Sequence, residues 1–178
     1  MEAPEDEWRD DPIVIVDYDP RWPEAFTQEQ ALLQAAIGSF ATGGIHHVGS
    51  TAVPGLAAKP VIDILVGVDS LDASVACINL VAPLRYVYAA HRTDEMHWFC
   101  KPGPSERTHH LHLVPTDSQR FVHEIVFRDY LRAHEDRAVE YGSLKRRLAL
   151  EHAYDREAYT QGKTDFVHET LALARTSG

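Results

Sequence analysis

The apolar positions change period several times along the chain, and each change marks an element. PIVIVDYD alternates from Ile13 to about Asp17 and predicts a short strand. Asp19 then Pro20 predict a helix start, since an aspartate can accept first-turn N–H groups and proline's fixed φ suits the first helical position. The helix that follows carries Trp22, Phe26, Leu33 and Ile37 on one face and is expected to end between Gly38 and Gly43. GIHHV predicts a strand running into a Gly49-Ser50 turn, and TAVPGLAAKP a connection that turns at Pro54-Gly55. VIDILVGV is the strongest strand signal, and Asp69 or Ser70 is placed to cap a helix reaching about Val81. RYVYAA, MHWFCK and HHLHLVP predict three more strands with short polar loops between them. From Ser118 the period becomes helical. Phe121, Ile125, Tyr130 and Leu131 mark one helix, Leu144, Leu148 and Tyr154 a longer charged one, and a last helix runs from about Asp165 to Ala174.

Strands first and helices last predict an α+β domain. The expected organisation is a disordered acidic tail over residues 1–12 and a single domain over 13–178. Residues 118–178 form its helical part, packed alongside the sheet.

Length and composition narrow the function classes. The chain's 178 residues, 44% of them hydrophobic, suffice for one full core. A formal net charge of -10 disfavours a general nucleic-acid-binding surface, which is net basic, while leaving room for a nucleotide held in a local cationic pocket. No apolar run approaches the roughly 18 residues that span a bilayer. The acidic N-terminus lacks the apolar stretch of a signal peptide, so a cytoplasmic protein without membrane contact is expected. Cys77 and Cys100 have no metal-ligand spacing and read as small buried side chains.

Candidate chemistry begins at Asp63. Alternation puts Val61, Asp63 and Leu65 on one face of their strand and Ile62, Ile64 and Val66 on the other. A carboxylate in an otherwise apolar series is costly unless it is paired, hydrogen-bonded or bound to a metal. Asp63 is therefore either the structural partner of a cation or a site residue at the mouth of a cleft. Upstream, Gly49-Ser50-Thr51 offers backbone N–H groups and hydroxyls suited to phosphate oxygens. His110 and His112 share one strand face and, with Asp63, would make a two-histidine, one-carboxylate set. His46 and His47 point to opposite faces, so at most one reaches a cleft. Lys59, Lys101, Arg107 and Lys163 are cations that can contact phosphate, and Trp98 and Phe99 are aromatic groups that either pack in the core or stack on a base. VEYGSLKRRLALEH reads as a helix with a solvated charged face.

Four segments carry a family resemblance: HHVGSTAVPGLAAKPVIDILV, THHLHLV, FRDYLRAHEDRAVEYGSLKRRLA and YTQGKTDFV. Together they resemble the GrpB family, placed within the nucleotidyltransferase superfamily, over roughly Ile13 to Leu173. The resemblance implies a nucleotidyltransferase-like mixed β-sheet flanked by helices. It also implies a site pattern: Gly followed by Gly or Ser, about ten residues, two acids separated by one apolar residue, and a third acid on a later strand, which together hold metals for phosphoryl transfer. Gly49-Ser50 and Asp63 match that pattern. Leu65 stands where the second acid belongs, and the later strand offers His110 and His112 in place of an acid.

Carried onto this chain, the resemblance makes Asp63 a metal ligand or base and His112 its catalytic companion. His110 and His112 become metal ligands beside Asp63, and Gly49, Ser50, Thr51, Lys59 and Lys163 become the phosphate contacts. The implied cofactor is a divalent metal, Mg²⁺ or Mn²⁺, or a transition metal where the histidines ligate it. The implied substrate is a nucleoside triphosphate, and the partner a small nucleotide or other phosphorylated ligand. Two alternatives accompany nucleotidyl or phosphoryl transfer. One is a non-catalytic nucleotide- or coenzyme-binding domain that lost its second acid, in keeping with family members fused to a dephospho-coenzyme A kinase. The other is a metal-dependent hydrolase or lyase using Asp63 with His110 and His112.

Overall fold

Strand β2 (Ile62–Val68) is the axis of the sheet, because it is flanked on both edges and covered on both faces. On one edge β1 (Ile45–Val48) pairs with it antiparallel, and on the other β5 (Arg107–Pro115) pairs with it parallel. Strands β4 (His97–Pro102) and β3 (Val87–Ala89) continue antiparallel, giving the order β1-β2-β5-β4-β3. This is the mixed sheet expected of the α+β class. The structure, a computed structural model, describes residues 12–176. The acidic tail expected over residues 1–12 lies, except for Pro12, outside the described residues.

The alternation read from β2 separates two layers. Ile62, Ile64 and Val66 pack with Leu33 and Ile37 of helix α1 (Trp22–Ile37), with Leu111 and Leu113 of β5, and with Phe99 of β4. The short helices α2 (Leu71–Ser74) and α3 (Cys77–Val81) follow β2, and Cys77 and Val81 of α3 pack into the same layer. Leu65 faces the other way and packs with Val48, Met96 and Val114 against Phe121 and Ile125 of helix α4 (Gln119–Ala133). Ile64 and Leu65 are both fully shielded, which is worth about 1.5–3 kcal/mol for each side chain. Helices α5 (Glu135–Glu151), α6 (Arg156–Gln161) and α7 (Thr164–Thr176) complete the chain. Their Tyr141 and Phe166 close over Val53 and Leu56, so this helical part roofs the connection between β1 and β2. Cys77 and Cys100 are both buried free thiols. Among the described residues no helix is long and apolar enough to cross a membrane.

Three local readings change. PIVIVDYD makes no sheet strand: Val16 forms an isolated bridge with Ala58, and Ile13 N–H donates to Ala153 O. The segment spends its alternating pattern on the β1–β2 connection and the end of α5 instead. Asp19 accepts the Arg21 N–H, but Arg21 takes the N-cap position and the helix begins at Trp22, so the proline in its first turn is Pro23 and Pro20 lies outside it. The helix expected up to Val81 does start after Ser70, whose Oγ caps Ala73 N–H, but it breaks into α2 and α3. The Ser74 hydroxyl bonds back to the carbonyls of Ser70 and Leu71 at the break, competing with the helical ladder.

Candidate functional site

The Gly49 turn and Asp63 touch. Gly49 has φ 71° and ψ -171°, a conformation open essentially to glycine alone, and a Cβ there would lie 2.5 Å from Asp63 Oδ2. The register explains the approach: Val48, which precedes the turn, is the cross-strand partner of Asp63. Replacing Gly49 with alanine is therefore expected to cost about 1–3 kcal/mol through backbone strain, with the overlap against Asp63 added. A denaturant-unfolding midpoint equal to the wild-type value would contradict this.

Cations gather on the Ser50 side of Asp63. Three of the chain's four lysines, Lys59, Lys145 and Lys163, converge there. Lys145 rises from α5, is only 2% exposed, and donates from Nζ to Ser50 Oγ at 2.7 Å and to Ala57 O. Its ammonium also lies 4.7 Å from the Tyr141 ring centre. Lys163 and Lys59 sit over the Tyr159 ring at 4.4 and 5.4 Å. Burial, then the charge of Lys163, brings the Lys145 amine down to about 7 against the pull of Asp63. Burial, with Lys59 adding, brings Lys163 down to about 8. Burial likewise lowers Lys59, opposed by Asp63. Among the described residues no carboxylate lies within ion-pair distance of any of the three. One buried and two half-buried cations that repel one another, with Asp63 as the anion acting on all three and otherwise aromatic faces and neutral oxygens around them, fit an oxyanion placed between them.

On its other side Asp63 meets β5. The parallel register sets it opposite His110, and His110 Nδ1 donates to Asp63 Oδ1 at 3.1 Å. Burial raises the Asp63 pKa, but this hydrogen bond and the nearby charges of His110, His112 and Lys59 outweigh it and leave the carboxyl below its usual value. One ligand atom each from Asp63, His110 and His112 falls within 4.8 Å of the others. His110 Nε2 and both ring nitrogens of His112 are buried without a hydrogen-bond partner. Burial holds His112 neutral, its pKa near 3. Neutral imidazoles with orphaned nitrogens beside a carboxylate fit a divalent metal, and this donor set suits Mn²⁺, Fe²⁺ or Zn²⁺ better than Mg²⁺. A second acid arrives from α4: Glu124 Oε1 lies 3.9 Å from His112 Nδ1 and 3.0 Å from Arg120 Nε. Burial pushes Glu124 up to about 7, with Asp63 adding and Arg120 opposing.

Several residues singled out from the sequence lie elsewhere. The Thr51 hydroxyl is buried, donates to Val61 O and pairs with His47 Nε2, so it is not turned toward the lysines. His47 also stacks on Phe26, while His46 bonds Gly43 O and meets the edge of Phe121; neither joins Asp63. Lys101 is on the α1 face and holds both oxygens of Glu29 at 2.8 Å. Phe99 is core, whereas Trp98, one residue before it, lies 5.2 Å from the His110 ring.

A family model described as GrpB protein matches residues 12–173. The chain belongs to the GrpB family. It is 40% identical over 181 aligned positions to a UPF0157 protein of Pseudomonas aeruginosa, covering 94% of this chain and 70% of that one. It is 34% identical over 155 residues to the UPF0157 protein YqkA of Bacillus subtilis, covering 87% of this chain. The chain spans 45% of YqkA's own length, so that relative carries much additional sequence. A crystal structure of the conserved protein GrpB from Enterococcus faecalis superposes with a TM-score of 0.83 at 31% identity, covering 92% of this chain and 98% of that one.

Within this GrpB fold the residues that sequence reasoning passed over are Lys145, Glu124 and Arg120. Lys145 had a signal. It lies four residues after Tyr141 and three before Leu148, on the buried stripe of α5 rather than on its solvated face. Glu124 follows Phe121 by three residues and so reaches the sheet from the same side.

Proposed function

We propose that the chain binds a nucleotide or similar phosphorylated ligand with its phosphates on the lysine side of Asp63, together with a divalent metal at Asp63, His110 and His112. Buried Lys145 with half-buried Lys59 and Lys163, none of them ion-paired to a carboxylate among the described residues, carries this reading. The reaction that suits the arrangement is nucleotidyl or phosphoryl transfer. An acceptor oxygen forms a bond to phosphorus while the bond from that phosphorus to the departing pyrophosphate, in nucleotidyl transfer, or nucleoside diphosphate, in phosphoryl transfer, breaks. The leaving group takes the electron pair, and the acceptor's proton is released to water. The metal, when bound, would neutralise charge on the phosphates. Ser50, Lys145 and Lys163 would grip the phosphate oxygens, and Gly49 would let the backbone come close.

Asp63→Asn tests the catalytic part. The variant is expected to stay folded and to lose metal-dependent release of pyrophosphate or nucleoside diphosphate from ATP, CTP or GTP; undiminished release would refute it. One observation favours a second reading, binding without chemistry. Leu65 is 0% exposed within the α4-side core, so the position of a second metal-binding acid is filled by packing. Calorimetry with ATP and coenzyme A, with and without Mn²⁺, separates the two: tight, metal-indifferent binding with no product supports the binding domain.

A further inference from the structure

Asp63 and its histidines lie between two cationic regions, and the sheet order shows why. Ser50 follows directly from β1, and Lys145 of α5 reaches it there, on one side of β2. On the opposite side, past His110 and His112 of β5, a cavity of about 980 Å³ extends toward β4 and β3. Its lining includes Arg92, Arg107, Arg120, Arg156 and Lys59, the last shared with the lysine cluster, with Glu157 as the acid among the lining residues. A chain of net charge -10 has gathered five cations around one hollow, of which Arg92 and Arg120 are ion-paired to Glu95 and Arg120 also to Glu124. Trp98 forms part of the same wall, 5.8 Å from the Arg107 guanidinium and next to His110. Lys145 and Lys163 are not part of this wall, so phosphates held by them would leave the cavity open.

We propose that this cavity is the seat of a second ligand, a small oxyanion-bearing acceptor molecule, separate from the phosphates on the lysines. The proposal rests on the phosphoryl-ligand reading above. Planar guanidinium forks match carboxylate and phosphate oxygens, and a cavity of this volume holds a metabolite-sized molecule. The concave distribution of cations suits a small molecule rather than nucleic acid, which needs a basic outer surface.

Titration calorimetry with two probes tests it. Tripolyphosphate reports on the lysine cluster, and phenyl phosphate and benzoate report on the cavity, as the phosphate and carboxylate forms of one chemistry. Phenyl phosphate or benzoate is expected to bind with the protein already saturated by tripolyphosphate. Arg156→Gln, and separately Arg92→Gln, should weaken that binding by about tenfold, as expected for loss of a charge-assisted contact, and leave tripolyphosphate binding close to wild type. Lys145→Met should do the reverse. Displacement of phenyl phosphate by tripolyphosphate at one shared site would overturn the proposal, as would failure of both aromatic probes to bind at millimolar concentration. Wild-type tripolyphosphate binding, measured alone, shows independently whether the phosphoryl-ligand reading stands.

Discussion

Lys145→Met is expected to separate stability from ligand binding. The variant removes a 2%-exposed ammonium that Lys163 and Lys59 repel, and replaces it with an apolar side chain of similar length. Polyphosphate affinity should fall by about 10–100-fold, the worth of one buried charge-assisted hydrogen bond. Stability should respond to pH in a defined direction. Lys145 titrates near 7 in the folded protein against an ordinary value of 10.5, so between those limits the unfolded chain binds more protons. Its contribution therefore makes the wild type gain stability as pH rises from about 7, and the cost of the buried charge is present in full below that. The gain is on the order of a few kcal/mol, at about 1.4 kcal/mol for each unit of pKa difference. The variant should lack this rise. It should equal or exceed wild type near pH 6 and fall behind near pH 10, where the neutral amine still serves Ser50 and Ala57 O. Parallel denaturation profiles for the two proteins across this range would show that Lys145 is an ordinary solvated cation.

The metal trio makes the second large prediction. Mn²⁺ or Zn²⁺ at a hundred times its Kd should stabilise the wild type by about 2.7 kcal/mol, which for a chain of this size is roughly 5–10 °C in Tm. Mg²⁺ should do much less, because two of the three donors are imidazole nitrogens. Asp63→Asn and His112→Gln should each remove most of the shift. Neither change touches the Leu65, Val48, Met96 and Val114 packing beneath, so both variants should fold. An equal Tm rise in wild type and both variants would place the metal elsewhere.

Much of this was legible in the sequence because local patterns and packing agreed. The period-two pattern of VIDILVGV both made β2 and divided the core from the site, so Asp63 stood out as a charge on an apolar face. His110 and His112 sharing a face was also readable. That they meet Asp63 was not, because convergence depends on β5 pairing with β2 in parallel register, a non-local fact. PIVIVDYD misled for the same reason: alternation says that a segment is half buried, not that a sheet edge receives it. Lys145 followed the rule that marked Asp63, a charge on a buried stripe, but the surrounding arginines and glutamates of α5 made the helix look uniformly solvated. The acid sought on a strand comes near the site from a helix, as Glu124, which no strand-based motif describes.

The most direct measurement is the proton balance of tripolyphosphate binding at pH 8, obtained by calorimetry in two buffers of different ionisation enthalpy. An anion seated among Lys59, Lys145 and Lys163 must recharge the Lys145 and Lys163 amines, which burial and repulsion from neighbouring cations have left partly neutral. The expected result is uptake of about one proton per ligand, clearly reduced in Lys145→Met, where only Lys163 is left to recharge. Binding without proton uptake, or no binding at all, would contradict the account.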